Sequence, residues 1–77
     1  MVLMPKIKDF GEFQIWIFFE DEQPPHFHVR GPDVSAKLRI DDLMVIAGAL
    51  PPKVRRRVRK WASTNRGLLV DKWDEFS

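Results

Sequence analysis

Seventy-seven residues make one domain with one hydrophobic core and leave no room for a second; a core this small gains from a partner. The absence of cysteine excludes disulfides and thiolate metal sites, no window nears the roughly 18 apolar residues that cross a bilayer, and MVLMPKIKDF lacks a signal-peptide pattern, so a cytoplasmic protein with no membrane partner is expected. The net charge of +2 hides a polarity: residues 1–52 balance at −3 and residues 53–77 at +5, which turns the chain's basic end toward an acidic partner.

In chain order, residues 1–10 read as a loosely ordered lead-in, with Pro5 discouraging regular structure. Phe13 to Glu20 is rich in β-branched and aromatic residues and predicts a strand. Phe13, Ile15, Ile17 and Phe19 fall on one face of it, and Gln14, Trp16, Phe18 and Glu20 on the other. The polar, doubly proline-punctuated EDEQPP that follows is a loop, with the cis or trans state of its X-Pro bonds open. His26 to Arg30 alternates at period two and predicts a second strand, Phe27 and Val29 inward, with His26, His28 and Arg30 in one row on the opposite face. Gly31-Pro32-Asp33 is a turn. Ala36 to Asp41 alternates again, with Ala36, Leu38 and Ile40 inward and Lys37, Arg39 and Asp41 outward. The Asp41-Asp42 doublet turns the chain into a short fourth strand over Met44 to Ala47, a single helical turn being the alternative.

Gly48 and Pro51-Pro52 change the regime, because proline is welcome in a helix's first turn. Val54, Val58, Trp61, Asn65, Leu68, Leu69, Lys72, Trp73 and Phe76 recur at steps of three and four, and their apolar members form a stripe for the sheet. Asn65-Arg66-Gly67 interrupts the stripe; a glycine costs roughly 1 kcal/mol in a helix interior, too little to force a break. The expected architecture is α+β: an antiparallel meander of three or four strands over residues 13–47, then one long helix over 52–76, kinked or split near Gly67, packed on one sheet face. The other face would carry Trp16, Phe18, His26, His28, Lys37 and Arg39.

Three groups of residues carry candidate chemistry. In KVRRRVRK, Val54 and Val58 turn inward and leave Lys53, Arg55, Arg56, Arg57, Arg59 and Lys60 along an exposed arc with no acidic i+4 partner. Such a stripe suits the phosphates of RNA or DNA, the plain alternative being a solvated helix face. The His26–His28–Arg30 row has three readings: a metal-independent ribonuclease, with two titratable imidazoles and a guanidinium for the phosphate; a metal site needing further ligands from Glu20, Asp21 or Asp33; or sheet packing against Trp16 and Phe18. No full metal-ligand set is visible and no cofactor is implied. Trp16 and Phe18 make an aromatic patch that serves a partner interface or stacks bases.

The order of the motifs is more specific than any one of them. PPHFHVRG (Pro24, Pro25, His26, Phe27, His28 leading it), then Gly48, Leu50 and Pro51 in GALPPKV, then Trp61, Arg66, Leu69 and Trp73 resembles an uncharacterised bacterial family, domain of unknown function 4160, across residues 14–75. Asn65 and Gly67 stand where many relatives are more helix-friendly. The resemblance implies a toxin–antitoxin-like module, since members are often encoded beside a second small family; it brings no catalytic mechanism. The expected function is therefore a small nucleic-acid-associated interaction protein, the toxin-like half of such a pair, contacting phosphates with its basic helix and meeting a small cognate protein encoded nearby. A ribonuclease using His26 and His28, or a non-catalytic homodimeric adaptor, are the alternatives.

Overall fold

A computed structural model describes residues 6–18 and 22–76, and within them the alternating segments pair as one antiparallel sheet. The strands are β1 (Lys6–Asp9), β2 (Gln14–Trp16), β3 (His26–Gly31), β4 (Val34–Arg39) and β5 (Val45–Ala49), arranged in sequence order. Two helices follow, α1 (Pro52–Thr64) and α2 (Arg66–Phe76). The class is α+β as expected, with five strands where three or four were read, and two helices where one was read.

The added strand lies in the segment read as a lead-in. Lys6-Ile7-Lys8-Asp9 holds a single apolar residue, too weak a pattern to announce a strand. A turn makes it instead: the Gly11 N–H donates to Asp9 Oδ1 (2.7 Å), and the Phe10 N–H donates to the Phe13 carbonyl (2.9 Å). Asp9 then lies opposite Gln14, and Lys6 opposite Trp16. The second strand is shorter than predicted, Gln14–Trp16, although Ile17 stays fully buried on the expected face; Phe19, Glu20 and Asp21 lie outside the described residues. The Gln23–Pro24 peptide bond is cis.

The inward row is as the alternation requires. Phe13, Ile15, Ile17, Phe27, Val29, Leu38 and Ile40 are each at most 2% exposed, and Val58, Ala62, Leu69 and Trp73 close over them from the helices. Burying each of the larger side chains contributes roughly 1.5–3 kcal/mol, which is how so short a chain sustains a core. At the β4–β5 hairpin, Arg39 grips Asp42 through Nε (3.0 Å) and Nη2 (2.7 Å), and the Met44 N–H donates to the same carboxylate (3.0 Å).

The helix breaks at Asn65, not at Gly67. The Asn65 backbone leaves helical geometry (φ −116°, ψ 25°), and its side-chain Nδ2 donates to the Trp61 carbonyl (2.8 Å) that the backbone would otherwise use alone. The Asn65 carbonyl then accepts the Leu69 N–H, starting α2, and Arg66 Nε donates to the Ile40 carbonyl (3.2 Å). The change of direction puts Leu69 and Trp73 into the core and leaves Leu68 40% exposed, although the helical stripe placed it inward. Among the described residues, no helix is long and apolar enough to cross a membrane.

Candidate functional site

Val58 and Ala62 fix the rotation of α1 by entering the core, and that rotation decides where its cations point. Lys53, Arg55, Arg56, Arg57, Arg59 and Lys60 are all exposed, as the sequence pattern required. They do not form a uniform stripe. Arg57 turns toward the β1–β2 turn, its guanidinium over the rings of Phe10 (5.5 Å) and Phe13 (5.4 Å) and 3.8 Å from the Glu12 carboxylate. Both partners of that ion pair are well exposed, so it contributes little. Arg59 Nε donates to the Leu43 carbonyl (3.3 Å), and its Nη2 lies 3.7 Å from Met44 Sδ. Arg59 is thereby held in place, and with Arg55, Arg56 and Pro52 it lines one open notch of about 250 Å³. The first turn of α1 contains no acidic residue, and among the described residues Lys53, Arg55, Arg56 and Lys60 have no carboxylate partner. Three guanidinium groups around one hollow form a place for an anion.

The histidine row is in β3 but is not open to solvent. His26 and His28 are each 4% exposed, which corrects the expectation of an imidazole pair open on an uncovered face and agrees with the alternative of packing against Phe18. Phe18 stacks on His28 (centroids 3.9 Å apart, 30°), and Trp73 from α2 reaches the ring of His26 (5.2 Å). The two imidazoles meet at 5.1 Å. His26 Nδ1 donates to the Pro24 carbonyl (2.8 Å), which fixes the orientation of the ring. Alternation tells which face a residue takes; it does not tell that aromatic side chains close over that face. Arg30, the third member of the row, is exposed and lies over the Phe18 ring (5.1 Å). Of the carboxylates considered as further metal ligands, Glu20 and Asp21 lie outside the described residues, and among the described residues no three of His, Cys, Asp and Glu group as a metal site.

Strand register assembles the rest of the outer face. Trp16 sits opposite His28, which sits opposite Lys37, and Gln14, Arg30 and Ser35 form the next row. Half-buried Trp16 and Phe18 line a cleft of about 310 Å³ together with Gln14, Arg30 and Pro32. A smaller hollow of about 100 Å³ adjoins it, lined by His28, Ser35 and Lys37, with Arg30 shared between the two. Sequence reasoning named Trp16, Phe18 and Arg30 and put Lys37 on the same face, but missed Gln14, Pro32 and Ser35 as their neighbours, because only the pairing offsets bring them together.

Comparison with family models gives a match over residues 13–74 to the domain of unknown function 4160. The chain belongs to this family. Comparison with curated proteins and with solved structures finds no match. In this DUF4160 chain the motif residues serve the fold: Trp73 in the last motif touches His26 in the first, and Pro51 caps the start of α1. Gly48 lies at φ +74°, where a Cβ would collide with the Ser35 carbonyl. The motifs sit far apart in sequence and meet around one core.

Proposed function

We propose that this protein is a small nucleic-acid-associated interaction protein that contacts phosphates through α1, and that it acts as the toxin-like member of a two-protein pair. The observation that carries the phosphate contact is the notch shared by Arg55, Arg56 and Arg59, with no carboxylate paired to Arg55 or Arg56 among the described residues and Arg59 pinned by the Leu43 carbonyl. Arginine forks suit phosphate oxygens, and a pinned fork loses less side-chain freedom on binding. The pairing rests on family resemblance and on the +5 balance of residues 53–77, which favours an acidic partner surface. The ribonuclease reading fits this geometry less well, because a general acid or base must reach its substrate and each imidazole is only 4% exposed, His28 edging the small hollow beside Arg30.

The test is binding of short single-stranded RNA and duplex DNA across salt concentrations. The wild type should bind at low salt with an affinity that falls steeply as salt rises. The triple variant Arg55→Gln, Arg56→Gln, Arg59→Gln should flatten the log–log slope for single strands by about 2, near 0.7 for each lost phosphate contact. Binding undetectable at low salt, or a slope unchanged in the variant, rejects the proposal.

A further inference from the structure

The outer sheet face carries a second, differently built site. We propose that it holds a single nucleoside monophosphate unit, its base against Trp16 and Phe18 and its phosphate between Arg30 and Lys37. This site lies on the sheet face opposite the one α1 covers, so it does not depend on the role assigned to α1.

The larger cleft has the lining a flat heteroaromatic ring needs. Trp16, Phe18 and Pro32 offer apolar surface, and Trp16 and Phe18 are only partly buried, so ring area remains available. Base–aromatic stacking tolerates any base, because each has a π face. Gln14 gives the cleft one neutral polar group: its Nε2 donates to Asp9 Oδ1 (3.3 Å), and among the described residues its Oε1 receives no hydrogen bond. That oxygen is available to a base edge.

The adjoining hollow has the lining an anion needs. Arg30, Lys37 and the Ser35 hydroxyl supply donors, and among the described residues neither Arg30 nor Lys37 forms an ion pair. Arg30 belongs to both spaces, so one guanidinium sits over the Phe18 ring and borders the anion hollow. Trp16 and Lys37 lie two strand spacings apart across β3, roughly 10 Å, which sets an aromatic group and an anionic group at opposite ends of one small molecule. Charge complementarity therefore selects a phosphorylated aromatic ligand over the uncharged apolar patch of a partner protein.

Calorimetric titration with adenosine 5′-monophosphate tests this, with adenosine, inorganic phosphate and a four-residue oligoadenylate as the other arms. The monophosphate should bind, and adenosine and phosphate should each bind at least about tenfold more weakly. Trp16→Leu and Arg30→Gln should each weaken the monophosphate by roughly tenfold or more, the range for one lost stacked base. Arg30 is exposed, so its variant keeps the fold, which circular dichroism verifies. The α1 triple variant should bind the monophosphate unchanged, so failure of the phosphate-contacting helix and failure of this cleft are read separately. Tighter binding of the oligoadenylate assigns the site to single strands, and equal binding assigns it to free nucleotide. No heat at millimolar monophosphate, or loss in the α1 triple variant but not in Arg30→Gln, overturns the proposal, as does an apolar partner protein that binds wild type and Arg30→Gln alike.

Discussion

Two residues show how much a single position carries in this chain. Arg59 serves two ends, tying α1 to the β4–β5 hairpin through the Leu43 carbonyl while it lines the notch shared with Arg55 and Arg56. Gly48 is tolerated for the lack of a side chain, since its φ of +74° and the nearby Ser35 carbonyl leave no space for a Cβ. Gly48→Ala is therefore expected to destabilise the fold by about 1–3 kcal/mol, read as a lower midpoint in urea unfolding. A midpoint that does not move means that β5 shifts freely and that the close approach is unimportant.

At the scale of elements, the α1–α2 junction and the β4–β5 hairpin respond to different conditions. Gly67 is exposed within α2 and a Cβ there meets nothing within 4 Å. Gly67→Ala should stabilise the protein by about 0.5–1 kcal/mol, raising the melting temperature by several degrees. A fall in melting temperature instead would show that the junction needs glycine's freedom. In the hairpin, the Arg39 fork and the Met44 N–H hold the Asp42 carboxyl below the usual carboxylate range. Because the folded value is the lower one, this contribution is present above about pH 4, the unfolded value, and is lost as pH falls through the folded one. Asp42→Asn should lower stability near neutrality and make the decline of melting temperature with acid shallower. Asp9, held low by the Gly11 N–H and the Lys6 ammonium, retains part of that decline. The break at Asn65 was half legible. Asn65-Arg66-Gly67 interrupts the apolar stripe, yet an asparagine side chain bonding back to Trp61 ends the helix, and propensity alone points to the glycine.

On the scale of the whole molecule, cationic groups occupy both faces of one sheet. The basic α1 sits on the covered side, and the cleft that shares Arg30 with its anion hollow sits on the other. A cognate partner that covers α1 should present carboxylates. Co-expression with the product of the neighbouring gene is expected to give a complex whose light-scattering mass is the sum of the two, with RNA binding through α1 suppressed. Two separate masses at micromolar concentration would remove the pairing and leave the phosphate contact standing alone.

The strand faces, the inward rows and the exposure of every cation in KVRRRVRK were legible in the sequence, because period-two and period-3.6 patterns depend only on where apolar residues recur. The order of the motifs likewise carried the resemblance to the family that the match over residues 13–74 bears out. Tertiary structure alone decided what the patterns leave open: a fifth strand made by a turn at Asp9 and Gly11, the choice of packing over exposure for the imidazoles with Trp73 reaching His26, and the grouping of Gln14, Arg30 and Lys37 across three strands. Local periodicity specifies which way a side chain points, whereas burial and clefts depend on which distant residues are brought opposite it.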